Sequence, residues 1–474
     1  MKTHPLYLNG EFVTTRDSIP VINPATGQAF ARMSICAREV VAQAITDAHA
    51  AFHGWRALTA KARGDFLRKV AAELEARRDE IARAITTENG KPLAQSVAEV
   101  NLSIDHLQWF AEEARRSYGR LIPPQADGKR NLVVKSPIGV VAAISPWNFP
   151  LVLAVRKIAP ALAAGCTVVL KPASATPLCA VAFAECVQAA GLPKGVFQCV
   201  VGAASAIAQE FLDNPLCRKI TFTGSTEVGQ KLIVGAAKCV KPLSLELGGC
   251  APLLVFADAD FDKAIEGTML AKFRNGGQSC IAANRIYVER SIYPEFLERL
   301  TAKVKALKVG NGLEADTDIG AMINTDAVVN AAKHVEDAVR RGARLMCGGG
   351  RVPDLRGSFY QPTVLADVPD EGLCFREETF APVAPVAAFD TEAEAIAKAN
   401  KSAYGLSAYA FTRDLGRAFR LMESLEAGTI GINDGLPTTS IGPFGGVKQS
   451  GWGRELGSEG LESFLETKHV SIKI

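Results

Sequence analysis

The sequence lacks the patterns that mark a metal site or a nucleic-acid partner. Its eleven cysteines include no Cys-x-x-Cys pair, and its six histidines show no metal-ligand spacing. We therefore predict no bound metal. The 53 basic and 50 acidic residues leave a net charge of only +3. This field is too weak to favour nucleic acid or an anionic membrane as the main partner.

Targeting and membrane-spanning patterns are also missing. The N-terminus, MKTHPLYLNGEF, has no cationic region followed by a long apolar stretch. The longest apolar candidate, 138–155, is interrupted by Pro146 and Asn148 and ends at Arg156. Because the cysteines form no disulfide framework either, we expect a protein of the reducing cytoplasm.

Apolar periodicity divides the chain into helical and alternating regions. Apolar residues at spacings of three and four predict surface helices over 38–55, 62–90 and 98–119. Between 138 and 256, short apolar runs alternate with helical segments, which predicts a doubly wound, Rossmann-like parallel sheet. The predicted strands are 140–145, 167–171, 196–201, 219–224 and 242–247. A second alternating series contains strands at 251–256, 285–289 and 429–433 and a helix at 260–274, and predicts a second α/β domain.

Dinucleotide binding is suggested without the usual GxGxxG fingerprint, which is missing. At a predicted strand-to-helix turn stands FTGSTEVG, where Gly224 permits a tight turn and Ser225 caps a helix whose N-terminus can face a phosphate. Lys171 ends another strand, where it can reach a ribose or phosphate. An ordinary capped helix and a solvated lysine are the alternative interpretations.

Three further stretches carry reactive groups. The PWNFP segment at 146–150 places Asn148 where its amide can donate to an oxyanion, or simply close its own turn. In LELGG, Glu246 ends an apolar strand, where desolvation would raise its pKa and suit a general base; a salt-bridged glutamate is the alternative. In FRNGGQSC, Cys280 is either a nucleophile or a small core residue.

Taken together, these motifs resemble the NAD(P)-dependent aldehyde dehydrogenase superfamily over nearly the whole chain. The matching stretches are PWNFP, KPASATP, FTGSTEVG, LELGG, FRNGGQSC, EETFAP and GPFGGVKQSG. The resemblance implies a coenzyme-binding domain (1–117 and 137–246), a catalytic domain (247–446) and a small β bridging and oligomerisation element (118–136 and 460–474). It also implies a homodimer or homotetramer, in which the tail 466–474 adds to a neighbour's sheet.

The same resemblance assigns the catalytic roles. It makes Cys280 the nucleophile that attacks the aldehyde, and Glu246 the general base that activates water to hydrolyse the resulting thioester. The Asn148 side chain and the Cys280 N–H form the oxyanion hole. The implied cofactor contacts are Lys171 on the adenosine ribose, Trp147 and Gly224 along the cofactor, Ser225 on the pyrophosphate, and Glu378 on the nicotinamide ribose beside Phe380.

Within the superfamily, the sequence is most similar to succinate semialdehyde dehydrogenases. Their substrate carboxylate is bound by two arginines and a hydroxyl, which correspond to Arg156, Arg274 and Thr438. Two guanidiniums in one pocket favour an anionic substrate, although each could instead form a salt bridge within the protein. Thr438 replaces the usual Ser, so glutarate semialdehyde, phosphonoacetaldehyde or a broad range of aldehydes remain alternatives.

The cofactor choice depends on Ser174, three residues after Lys171. NAD-preferring relatives commonly have Glu at this position, which repels a 2′-phosphate. We therefore expect NADP to be used well, with NAD as the alternative. A non-catalytic member should have lost Cys280, Glu246 or Asn148, and a CoA-acylating member tends to lack the base; all three residues are present.

Overall fold

The computed structural model describes residues 1–474. The N-terminal part begins with short strands and continues with four long helices. Its elements are β1 (Thr3–His4), β2 (Leu6–Leu8), β3 (Glu11–Val13), β4 (Ser18–Asn23), β5 (Gln28–Ser34), α1 (Arg38–Ala57), α2 (Ala60–Ala76), α3 (Arg78–Asn89), α4 (Leu93–Glu113), a 3₁₀ turn (Ala114–Arg116), β6 (Arg120–Ile122) and β7 (Lys129–Pro137).

The next region alternates buried strands with helices, as predicted. Strands such as β8 and β9 are apolar and almost fully buried because helices cover both faces of the sheet. The elements are β8 (Val140–Ile144), α5 (Val152–Ala164), β9 (Thr167–Lys171), α6 (Leu178–Ala189), β10 (Phe197–Cys199), α7 (Ala204–Asp213), β11 (Cys217–Thr223), α8 (Thr226–Ala237) and β12 (Leu243–Glu246).

A second α/β series occupies most of the remaining chain. Several of its helices begin after a residue whose side chain caps the first turn. Asp260 caps α9 in this way, and Asn324 caps α11. The elements are β13 (Ala251–Val255), α9 (Phe261–Phe273), a 3₁₀ turn (Arg274–Gly277), β14 (Ala283–Glu289), α10 (Tyr293–Lys305), α11 (Thr325–Arg340), β15 (Arg344–Cys347), β16 (Thr363–Ala366), α12 (Leu373–Arg376), β17 (Val383–Phe389), α13 (Glu392–Asn400), β18 (Tyr404–Gly405), β19 (Ser407–Phe411), α14 (Leu415–Ser424), β20 (Thr429–Ile432), β21 (Val447–Lys448), β22 (Gly451–Trp452), α15 (Gly457–Glu462) and β23 (Leu465–Lys473).

Two large sheets organise the fold. The first has eight strands in the order β22-β12-β11-β8-β9-β10-β2-β3, and the second has seven in the order β15-β16-β17-β14-β13-β19-β20. Both have a parallel centre, which confirms the predicted pair of α/β units. The carboxyl ends of β8, β9, β11 and β12 therefore meet at one edge of the first sheet, where ligands of such sheets bind.

The C-terminal strand belongs to a small three-stranded sheet. β23 pairs antiparallel with β7 over nine residue pairs, and β7 pairs with β6 on its other side. β23 lies at an edge of its sheet.

Two features differ from the sequence expectations. The helix expected over 62–90 is two helices, because Arg77 adopts φ −108° and ψ 14° between α2 and α3. The apolar periodicity continues across this break, so the pattern alone does not reveal it. In addition, α4 begins at Leu93, five residues before the expected start, directly after Pro92. No helix combines the length and apolar character needed to cross a membrane.

Candidate active site

The segment before Cys280 is bent by three consecutive residues with left-handed backbone conformations. Asn275, Gly276 and Gly277 have φ angles of +53°, +60° and +74°. A Cβ added at Gly277 would lie 2.1 Å from the Ala381 carbonyl oxygen, so only glycine fits this close approach. The bend carries the chain from α9 to Cys280, which lies just before β14.

Cys280 faces a cavity of about 710 Å³ whose walls are mostly apolar. Burial raises the pKa of its thiol to about 12, and the nearby Glu378 and Glu246 carboxylates act in the same direction. Arg156 and Arg274 oppose this shift. The resting residue is therefore a thiol at neutral pH, and its reaction as a nucleophile requires a proton acceptor. The Cys280 N–H has no acceptor in the chain and is free to donate.

Asn148 lies beside the cysteine segment. It is 3% exposed, and its Nδ2 donates to the Gln278 carbonyl oxygen at 3.1 Å, two residues before Cys280. Its Oδ1 has no partner. One amide N–H thus holds Asn148 against the cysteine segment, and the other is available to a reacting oxygen.

Glu246 ends β12 and carries an unpartnered buried oxygen. The residue is 4% exposed, and its Oε2 has no hydrogen bond. Burial raises its pKa well above the usual range, and the Glu455 carboxylate adds to the effect; Lys157 and Arg156 oppose it. A carboxylate that is poor in partners and costly to ionise is a strong proton acceptor once charged, as a general base requires.

Behind Glu246 is a buried ion pair that the sequence analysis missed. Lys157 pairs with Glu455, which lies 298 positions further along the chain, and donates to Thr223 Oγ1 at 2.6 Å. The sequence signal for Lys157 was its position beside Arg156 in α5, whose other residues are all apolar. Nothing local marks Glu455, because its partner is brought to it only by the fold.

Arg156, Arg274 and Thr438 all line the cavity that contains Cys280. Neither arginine has a carboxylate within 4 Å: the Arg156 guanidinium carbon lies 4.8 Å from the centre of the Phe444 ring, and that of Arg274 lies 4.8 Å from the Phe149 ring. Arg156 Nε and Thr438 Oγ1 are buried without partners. The alternative of a salt bridge from each arginine to the protein is therefore wrong for this structure.

The turn after β11 leads directly into the N-terminus of α8. Gly224 donates to the Glu246 carbonyl oxygen at 3.0 Å, which joins this turn to the end of β12. Ser225 caps α8 by accepting from the Val228 N–H. The first-turn N–H groups of α8 and its positive dipole end suit a pyrophosphate.

Lys171 and Ser174 follow the neighbouring strand β9. Lys171 is 7% exposed, and its side chain forms no ion pair or hydrogen bond. Ser174 is half-buried in the next turn. A buried ammonium without an acceptor fits a ribose or phosphate group, so this edge of the sheet matches a dinucleotide.

Glu378, Phe380 and Trp147 are the remaining residues predicted to contact the cofactor. Glu378 accepts from the Gly249 N–H at 3.2 Å, and burial raises its pKa to about 8. Phe380 has a φ of +50°, and its ring lies 5.4 Å from that of Trp147 in an edge-on arrangement. The structure therefore places Arg156, Arg274 and Thr438 around the cavity that contains Cys280, and places Lys171, Ser174, Gly224 and Ser225 at or just after the carboxyl ends of β9 and β11.

Known proteins place this fold and site in one family. The model of the aldehyde dehydrogenase family matches residues 12–470. A glutarate-semialdehyde dehydrogenase of Pseudomonas putida KT2440 is 47% identical over 470 residues, which cover 99% of this chain and 97% of that protein. An NADP(+) succinate-semialdehyde dehydrogenase of Escherichia coli K12 is 47% identical over 467 residues, which cover 98% and 97%.

Solved structures agree. The crystal structure of a succinate-semialdehyde dehydrogenase from Burkholderia pseudomallei superposes with a TM-score of 0.98 at 44% identity, and the match covers 99% of this chain and 98% of that one. The chain therefore belongs to the aldehyde dehydrogenase family and is an NAD(P)-dependent enzyme. The family and fold predicted from the sequence motifs are confirmed.

Proposed function

We propose that this enzyme oxidises an anionic semialdehyde, with succinate semialdehyde as the first candidate, to the corresponding acid. The observation that carries the proposal is the pair of arginines without carboxylate partners in the cavity of Cys280. Two unneutralised guanidiniums in a water-poor cavity are costly until an anion binds them. A substrate carboxylate bridging Arg156, Arg274 and Thr438 removes this cost and leaves its aldehyde end toward the cysteine.

The chain's own residues then supply the acid–base and covalent chemistry. The Cys280 thiol gives its proton to solvent water and its sulfur attacks the aldehyde carbon; Asn148 and the Cys280 N–H donate to the resulting oxyanion. Trp147, Glu378 and Phe380 would hold the nicotinamide end of the cofactor, which would supply the hydride acceptor for oxidation of this adduct to a thioester. Glu246 takes a proton from the water that attacks the thioester and passes it to the departing sulfur, so that the acid is released and Cys280 is again a thiol.

For the cofactor we propose NADP, with NAD also accepted. Lys171, Ser174, Gly224 and Ser225 would hold the adenosine and phosphate end. Trp147, Glu378 and Phe380 would hold the nicotinamide end. Ser174 places no carboxylate where a 2′-phosphate would lie, and the unpaired Lys171 ammonium attracts that phosphate.

Glutarate semialdehyde is the second candidate, since a relative with that name is as similar as the succinate-semialdehyde one. Specificity constants for succinate semialdehyde, glutarate semialdehyde, phosphonoacetaldehyde and neutral aldehydes of equal length, each with NADP and NAD and without CoA, test the proposal. We expect the acids to exceed the neutral aldehydes by at least about 100-fold, since two charge-assisted contacts are lost. Equal or higher values for neutral aldehydes would refute an anion pocket.

The domain division and the assembly are also proposals. We assign cofactor binding to 1–117 and 137–246, catalysis to 247–446, and bridging to 118–136 and 460–474. The exposed edge strand β23 suits pairing between subunits in a homodimer or homotetramer. Eleven unpaired cysteines favour a reducing compartment such as the cytoplasm. Light scattering of the full chain and of the variant Val470→Pro tests whether subunits pair through β23.

A further inference from the structure

A fully buried lysine holds the main chain of Asn148. Lys91 follows Gly90, the left-handed residue at the end of α3, and its side chain is inaccessible to solvent. Its Nζ donates to the Asn148 carbonyl oxygen at 2.6 Å and to Glu99 Oε2 at 2.7 Å. The same ammonium lies 4.0 Å from the centre of the Phe149 ring. Two of its three contacts are therefore with the PWNFP segment.

The partner carboxylate reaches the same segment from the other side. Glu99 lies on α4 with its side chain 1% exposed, and its Oε1 accepts from the N–H groups of Leu151 at 2.9 Å and Val152 at 3.2 Å. These groups lie at the start of α5, the helix that carries Arg156. The Lys91–Glu99 pair thus contacts the chain at Asn148 and Phe149 and again at Leu151 and Val152.

The Asn148 carbonyl also links this pair to the cysteine segment. Asn275 Nδ2 donates to the same oxygen at 2.8 Å, while Asn148 Nδ2 donates to Gln278 at 3.1 Å. Asn148 is therefore fixed at its main chain by Lys91 and Asn275, and at its side chain by the residues before Cys280. Removal of the ammonium leaves the carbonyl with one donor instead of two.

We propose that Lys91 and Glu99 are positioning residues for the oxyanion step, acting through Asn148. The inference rests on the oxyanion role of Asn148 in the proposed function. A buried ion pair adds little stability compared with apolar residues of the same volume, so stability alone gives weak reason for one here. Oxyanion donors must be accurately placed, and a displacement near 1 Å costs about 100-fold in rate.

The first test replaces Lys91 with methionine, which has a similar shape. We expect kcat to fall roughly 10- to 100-fold, with the KM for NADP and the alkylation rate of Cys280 by iodoacetamide unchanged. The matched control is Ser96→Ala, which removes a buried 2.8 Å hydrogen bond to Thr86 between α3 and α4 but touches nothing in the PWNFP segment. Its kcat should equal that of the wild type. An unchanged kcat in Lys91→Met would overturn the proposal.

The decisive test is a double-mutant cycle with Asn148→Ala. If Lys91 acts through Asn148, Lys91→Met costs kcat nothing further in the Asn148→Ala background. Equal losses of kcat in both backgrounds would show that Lys91→Met has a general structural effect. This result would overturn the positioning role of Lys91 but not the oxyanion role of Asn148. Full activity of Asn148→Ala would instead refute the oxyanion role and the inference with it. If Lys91→Met does not fold, Lys91→Met/Glu99→Gln removes both charges together and enters the same cycle.

Discussion

Removal of the Arg156 guanidinium should lower activity toward acidic aldehydes much more than activity toward neutral ones. Arg156 is 5% exposed and has no carboxylate within 4 Å, so Arg156→Met leaves no buried anion unpaired. Methionine fills much of the same volume against Phe444. We therefore expect the variant to fold. Arg156 also opposes the raised pKa of Cys280 and of Glu246, so its loss should slow the reaction of acidic and neutral aldehydes to the same extent.

The expected loss follows from the contacts that the substrate carboxylate would lose. A hydrogen bond between charged groups contributes about 1.5–3 kcal/mol, and every 1.4 kcal/mol is tenfold, so kcat/KM for succinate semialdehyde should fall about 10- to 150-fold. For butanal, which has no carboxylate, kcat/KM should fall much less, because only the effect of Arg156 on the pKa values of Cys280 and Glu246 is lost. Arg156→Met/Arg274→Met should reverse the preference altogether.

The assay is initial-rate formation of NADPH with each aldehyde. The matched control is Arg63→Met, since Arg63 is a partly buried guanidinium that donates to the Ala163 carbonyl at 3.0 Å near the far end of α5. This control tests for a loss of packing against α5. Its ratio of kcat/KM for succinate semialdehyde to kcat/KM for butanal should equal that of the wild type. An equal fall in kcat/KM for both aldehydes in Arg156→Met would contradict binding of the substrate carboxylate by Arg156.

Four further outcomes follow from the site. Cys280→Ala should abolish turnover while NADP still binds, as measured by quenching of protein fluorescence; residual dehydrogenase activity would remove Cys280 from the mechanism. Glu246→Gln should lower steady-state turnover about 10²–10⁴-fold while single-turnover NADPH formation persists, whereas equal loss of both phases would contradict a role confined to hydrolysis. Because the Cys280 pKa is about 12, its thiolate fraction without cofactor should rise tenfold per pH unit between pH 7 and 9; an iodoacetamide rate that is flat over this range would show a thiol already ionised. Ser174→Glu should lower kcat/KM with NADP at least tenfold relative to NAD, and an unchanged ratio would exclude this position from cofactor choice.

The central strands were predictable because burial on both faces forces continuous apolar runs. Thr167–Lys171 forms β9 as predicted, and Val140–Ile144 and Leu243–Glu246 differ from the predicted strands only at their ends. The two-residue and three-residue strands near the N-terminus were not predicted, since so short a segment has no periodicity to read. Leu6–Leu8 joins the large sheet only through its pairing with β10 near Cys199.

The candidate reactive residues could be found in the sequence because they stand in recognisable motifs: Asn148 and Glu246 at the ends of strands, and Cys280 in the segment before β14. The residues that hold them could not be found in this way. Lys91 and Asn148 are 57 positions apart, and Lys157 and Glu455 are 298 apart, so only the folded chain brings these partners together. In the sequence, Lys91, Lys157 and Glu455 are each one charged residue among many that usually lie on solvated surfaces.

The measurement that tests the central claim most directly is the intact mass of Glu246→Gln after reaction with succinate semialdehyde and NADP. Without the general base, hydrolysis is slow and the acyl group should remain on the enzyme. We predict one succinyl group per chain, located by peptide mapping at Cys280 and missing from Cys280→Ala/Glu246→Gln. A protein that forms NADPH without carrying an acyl group, or that carries it on another residue, would contradict the account.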